Sequence, residues 1–370
     1  MNIIGVMNMR NLLIVLIAIT LALGACSTTR QKLTPQGNVN FKTAQVYYAQ
    51  QNIEKAEEFY TKVLADNPDH ALSLRRLADL NLHQGSEIAP IDALEYNKTA
   101  YELYDRALKI YKSYENPTDQ ELADIRDMGK RLTNAWVLVY KAGENAYAAK
   151  NTQQAKEIFE LASTLDPSKP EPLISLKVIY QNDLNDPAKA EAILLQLLEK
   201  DPQKLEYLLE TGAFYFNQDN YAEAVKYFER AREVSPADID NLMNLSYAYY
   251  EMENYDKALQ YTELALNLEP NDISIIDNAK NIAYKKNDNA KAVQYLEQLI
   301  ELRQDEEDFN LITYLLNEME DYDRLVTYAK KWYDWDETSK FAVQYIILAA
   351  QRKGDTALQK TYSDILKAMP

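Results

Sequence analysis

Two histidines, His70 and His83, and one cysteine, Cys26, are all that this sequence offers for imidazole or thiol chemistry. An imidazole is the commonest general base near neutral pH, and histidine, cysteine and carboxylate supply most zinc ligands. The two histidines fall in one early stretch and read as plain surface residues of helices. A single cysteine permits neither an intrachain disulfide nor a cysteine zinc cluster. No GxSxG, HExxH, phosphate loop or serine–lysine signature occurs in the 370 residues. Carboxylate pairs are plentiful, but among 57 Asp and Glu they say little about acid–base catalysis. No catalytic residue, cofactor or metal is expected.

Binding chemistry is better supplied. The chain carries 28 tyrosines against 8 Phe and 3 Trp. Tyrosine gives large contact area at low entropy cost and keeps a hydroxyl for hydrogen bonds. A formal net charge of -17 argues against nucleic-acid partners, which need a basic surface. Between Glu301 and Asp323 nine acids stand against Arg303 alone. Asp305 to Asp308 read as the opening of a helix, where carboxylates favour the positive end of the dipole, and the remainder as solvated surface. Their spacing matches no regular calcium loop.

The elements that must position these groups are helices. Only 8 glycines and 12 prolines occur, which disfavours folds built on glycine-rich turns and loops. The N-terminus stands apart. Arg10 is the one charge before position 30, and an apolar run follows from Leu12 to Leu23, broken only by Thr20. Twelve helical residues span about 18 Å, short of the roughly 30 Å of a hydrocarbon core, so the run reads as a secretory signal. It ends Leu23-Gly24-Ala25-Cys26, which resembles the lipobox of bacterial lipoproteins. The resemblance implies cleavage before Cys26 and lipidation of that cysteine, with several acyl chains giving durable membrane attachment. It further implies the outer membrane, because Ser27 is not the aspartate that retains enterobacterial lipoproteins in the inner membrane. The expected organisation is a signal peptide at 1–25, a lipidated cysteine and polar tether at 26–38, and a folded region at 39–370.

That region repeats. Prolines recur at 167, 202, 236 and 270, and alanines at 155, 190, 224, 258 and 292, with Leu325 and Leu358 continuing the series. Residues 205–238 supply Gly212, Tyr215, Ala224, Phe228, Ala231 and Pro236; 239–272 and 37–70 supply comparable sets. A period near 34 with these residue types resembles the tetratricopeptide repeat. The implied fold is all-α, a right-handed α-solenoid of about nine helix-turn-helix repeats. Small residues such as Gly212 and Ala224 would sit at close helix crossings, aromatics such as Phe228 would fill the gaps, and proline would end each second helix. Lys177 or Val178, Lys280 and Ile346 stand where a small residue is usual, so wider or rotated crossings are expected there. Gln304 and Glu337 replace closing prolines.

The period fails in an irregular segment, 84–135. Ala56 and Ala155 lie 99 residues apart, room for two units, yet only one is recognisable. Residues 91–115 read as a lengthened second helix and 118–150 as a long helix entering the next unit. Tyr101, Tyr104, Leu108 and Tyr111 share one face of the former. A longer helix can expose such a face, but ordinary packing between helices is the preferred reading.

Stacked repeats of this family present a concave face lined by their first helices, the usual site for a peptide or partner helix. Counting along those helices places Tyr140, Tyr147, Phe216, Tyr247, Tyr250, Asn281, Tyr284 and Tyr314 there, with Glu144 and Asp277 among them. Family members that clamp a terminal carboxylate use cations, and here Lys285 is an isolated candidate, so an acidic C-terminus is disfavoured. The expected function is a membrane-anchored, non-catalytic scaffold of the bacterial cell envelope that binds a partner protein. The alternative is a glycan-binding surface lipoprotein that stacks sugars on tyrosine.

Overall fold

Each helix of this protein is short and one-sided, so its apolar stripe needs a neighbour. A computed structural model describes residues 30–370; the expected signal peptide and Cys26 lie outside them. The described residues form eighteen α-helices and no strand. Sixteen of them come as eight consecutive pairs in contact. The chain divides into two compact units, residues 1–193 and 194–370.

In the first unit α1 (Pro35–Ala49) pairs with α2 (Ile53–Asp66), α3 (Ala71–Ser86) with α4 (Leu94–Lys112), and α5 (Asp119–Ala148) with α6 (Thr152–Leu165). Then comes α7 (Glu171–Val178), continued by a π-helical turn at Ile179–Asp183. The division between units falls within α8 (Pro187–Lys200). In the second unit the pairs are α9 (Leu205–Phe216) with α10 (Tyr221–Val234), α11 (Ile239–Glu251) with α12 (Tyr255–Leu268), and α13 (Ile273–Lys285) with α14 (Asn289–Leu302). They continue as α15 (Glu306–Glu318) with α16 (Tyr322–Trp335), and α17 (Lys340–Lys353) with α18 (Thr356–Ala368). One helix, α1, opens at Pro35, inside the stretch read as tether.

The pairs are held by size complementarity sixteen residues apart. A Cβ built on Gly212 would lie 2.5 Å from the Phe228 ring, and one on Gly143 would lie 2.6 Å from Phe159. In the next pair the same two places hold Ser246 and Thr262, both fully buried, whose hydroxyls are hydrogen-bonded at 2.7 Å. Successive pairs are then joined by tyrosine. Tyr261 donates to Glu229 and Tyr295 to Glu263, the latter at 2.8 Å, each reaching from one second helix to that of the preceding pair. Tyr328 makes the same bond to Glu297. Burial comes first, and the carboxylate second, in pushing these three phenols upward.

The turns within pairs reuse one solution. Gln51, Lys150, Asp219, Glu253, Asn287 and Glu320 are left-handed, with φ between 56 and 62°, and each precedes an Asn or Asp. That following residue returns its N–H to the first helix, as in Asn220 to the Tyr215 carbonyl and Asn254 to that of Tyr249, each at 2.9–3.0 Å. Its side chain then caps the second helix in most cases: Asn220 accepts from the Glu223 N–H and Asn254 from that of Lys257. Left-handed backbone costs a non-glycine residue roughly 1–2 kcal/mol, and the closing bonds offset it. Scarce glycine therefore does not mean absent tight turns. Among the described residues only Gly354 supplies glycine at such a position.

The irregular segment holds one pair and a long helix. Its extra length lies in α4, with 19 residues, and α5, with 30. The shared face of α4 is buried: Tyr104 is fully covered and donates to Asp79 at 2.6 Å, and Tyr101 donates to the Leu165 carbonyl at 2.8 Å. Arg75 reaches from α3 to Asp124 and Asp127 of α5, at 2.5 and 2.9 Å. His70 is half-buried at the start of α3, edge-on to Phe41 and hydrogen-bonded to Ser73 at 2.8 Å, so it is no plain surface residue. Burial lowers its pKa.

Gly212→Ala is expected to lower the denaturant midpoint, by about 1–3 kcal/mol of overpacking against Phe228. Adding Phe228→Leu should recover part of it. Gly129, with nothing within 4 Å of a built Cβ, should gain roughly 0.5–1 kcal/mol as alanine.

Candidate functional site

Once each first helix has spent one stripe on its pair and another on its neighbour, a third stripe remains. In the second unit it carries Ala213, Tyr247, Asn281 and Tyr314, at matching register on the four first helices α9, α11, α13 and α15, and all four are exposed. Tyr247, Tyr284 and Tyr314 are 43, 42 and 44% exposed, and Phe341 on α17 is 60% exposed. A shallow depression between α11 and α13 is floored by Met243, Ile239, Ile275 and Tyr247 and bordered by Asp240 and Glu269.

The other candidates divide. Phe216 and Tyr250 are half-buried against the core, ring-edge to Tyr221 and Tyr255 of the paired helices at 5.3 and 5.5 Å. Tyr140 and Tyr147 belong to the first unit. Tyr140 stacks on Trp136 at 5.6 Å and shares a hydrogen bond with Ser175 at 3.0 Å, so its ring is engaged in packing. Tyr147 is 36% exposed and donates to Asp183 at 2.9 Å. That bond raises its pKa, with burial second. Within one unit, then, the structure groups Tyr247, Asn281, Tyr284 and Tyr314, with Phe216 and Tyr250 beside them.

Beneath this face lies an ionic cluster that the sequence reading did not find. Asp308 is 1% exposed, and its carboxylate accepts from Lys280 at 3.2 Å and from Arg303 at 2.9 Å. Both cations also contact Asp277, at 2.7 and 2.9 Å. Asp277, read as a groove residue, is thus committed to the cluster. The acidic stretch divides likewise: Asp305 caps α15, accepting from the Glu307 and Asp308 N–H groups, whereas Asp308 is core. Two signals pointed here. Lys280 occupies a small-residue position, and Gln304 stands where a closing proline is usual, so ion pairs join α13 to α15 where the repeat's own devices are missing.

Among the described residues no group of three or more His, Cys, Asp and Glu could hold a metal ion. Nor is any described helix long and apolar enough to cross a membrane.

Sequence profiles of the tetratricopeptide repeat match residues 41–87, 180–241, 215–282 and 281–306, so the chain carries tetratricopeptide repeats. No curated protein matches the sequence. Similar solved structures include the C-terminal part of a repeat-containing protein from Cytophaga hutchinsonii, 18% identical, covering 68% of this chain and 99% of that one at a TM-score of 0.47. A tetratricopeptide repeat protein from Parabacteroides merdae is 14% identical and covers 85% of this chain and 99% of its own, at 0.36. Pseudomonas aeruginosa pilF is 24% identical and covers 56% and 94%, at 0.38. Likeness at this level concerns the helical fold and transfers no partner.

Removing one member of a buried ion cluster strands the others. Asp308→Ala is expected to cost about 3–5 kcal/mol in equilibrium unfolding, several times the loss from an exposed pair such as Lys62–Glu58.

Proposed function

We propose that this chain is a lipid-anchored, non-catalytic scaffold of the bacterial cell envelope, and that it holds a partner protein on the first-helix face of residues 194–370. One observation carries the binding reading: three large tyrosine rings stand exposed on three consecutive first helices of the second unit. Exposed tyrosine is favoured at interfaces, because one end is apolar and the other hydrogen-bonds. The acids bordering the depression, Asp240 and Glu269, favour a partner segment that carries cations. A sugar could stack on the same rings. Against it, Trp136 and Trp332 are buried, and the one exposed indole, Trp335, is stacked on Phe309 at 5.7 Å on a second helix, α16, away from the first-helix tyrosines.

The envelope assignment rests on the lipobox resemblance at Cys26 and the apolar run before it. Outer-membrane placement follows from Ser27 by the same resemblance.

Tyr247→Ala combined with Tyr250→Ala should weaken crosslinking to a partner in the protein's own membranes while helical signal and cooperative melting persist. Unchanged capture would move the site off this face, and glycan-array binding lost in the same variant would replace a protein ligand by a sugar. For the anchor, Cys26→Ser is expected to move the protein from the membrane to the soluble fraction. A variant that still sediments with membranes would sink the lipid reading.

A further inference from the structure

The segment ahead of α1 is tied down before its first helix begins. Arg30 Nε and NH2 each donate to a Glu121 carboxylate oxygen at 2.7 Å, and NH2 also donates to the Asn116 carbonyl at 2.9 Å. Its guanidinium lies 5.1 Å from the centroid of the Tyr114 ring. This is the bidentate, planar geometry at which arginine is most selective. Glu121 is itself held, because its carboxylate accepts the Thr118 N–H at 2.7 Å while the Thr118 hydroxyl accepts the Glu121 N–H at 3.2 Å. The Arg30 hydrogen bonds first, and those of Thr118 further, push this carboxyl down to about 2. Four residues on, the Thr34 N–H donates to Asn67 Oδ1 at 3.0 Å, and the Thr34 hydroxyl caps α1. The stretch from Arg30 to Thr34 therefore has one end on the α4–α5 turn and the other on the α2–α3 turn.

We infer that this double attachment makes the membrane anchor short and gives the first unit a membrane-facing edge, the α4–α5 turn around Tyr114 and Asn116. The inference rests on the lipid-anchoring reading. From Cys26 to Arg30 the chain spans at most about 14 Å fully extended; without the clamp, the reach to Pro35 would be roughly 30 Å. The turn at Asn116 is thereby kept close to the lipid headgroups. The opposite end is not, because α5, 30 residues long, extends about 45 Å from that turn to the one at Lys150. A lipid surface is the occupant by chain length alone: no other ligand is covalently bound to stay within four residues of Arg30.

The test uses the purified lipidated protein in vesicles of phosphatidylethanolamine and phosphatidylglycerol that carry a headgroup spin label. Cys26 is blocked by lipid, so a single fluorophore can be placed through Asn116→Cys, which preserves the backbone carbonyl, or through Gln153→Cys in the first turn of α6, just past the far end of α5. Quenching at 116 should exceed that at 153 by on the order of twofold or more, given the lengths above. Arg30→Ala, at an exposed side chain, should shrink this contrast without changing the bound fraction. Equal quenching at the two sites, or a contrast indifferent to Arg30→Ala, overturns the inference while leaving the anchor intact. Labelled protein that stays in solution, as Cys26→Ser should, overturns the anchor and the inference together.

Discussion

The close crossing inside each helix pair is the constraint on which the rest of this molecule depends. Where Phe228 lies over Gly212, even a methyl group between ring and backbone would require a shift, so the ring packs directly on the facing helix. That closeness sets where the second helix presents its outer face, and hence where tyrosines 261, 295 and 328 meet the carboxylates of the preceding pair. The core of the second unit runs continuously through these contacts, from Ala224 to Ala349. Each pair buries too little by itself, and its stability is shared with its neighbours.

Binding capacity follows from the same geometry. A first helix with one stripe against its partner and another against the next pair has one left over. Tyr247 and Tyr314 lie there because two helical faces were already taken. The cluster of Asp277, Lys280, Arg303 and Asp308 shows what happens when the repeat departs from its pattern: charge holds α13 to α15 in place of a small residue and a closing proline. A buried cluster of this kind fixes register more surely than it adds stability, since desolvation cancels much of its attraction.

Much of this was legible in the sequence. Alanines at 155, 190, 224, 258 and 292 mark the pairs, and the lengthened helices of the irregular segment were read within a few residues of α4 and α5. The tyrosine ladder was readable too, because Glu229, Glu263 and Glu297 keep the same period as their tyrosine partners, yet the composition alone drew attention to the groove. Other features left no local mark. Lys150 and Glu253 are unremarkable in sequence but adopt left-handed backbone, and scarce glycine suggested the opposite of the tight turns that they make.

By itself the sequence determined the helices, their pairing and their period, because those depend on side-chain spacing along one chain and on residues that stop or close a helix. The proposed address, the apolar start and Cys26, likewise rests on sequence alone. Tertiary structure alone decided which members of a repeating series are covered. Tyr140 is taken into packing and Tyr247 left exposed, and Asp305 caps a helix at the surface while Asp308, three residues on, is buried. Arg30 likewise finds Glu121 at a distance of 91 residues. Burial depends on which neighbours arrive from elsewhere in the chain, and helical spacing carries no information about them.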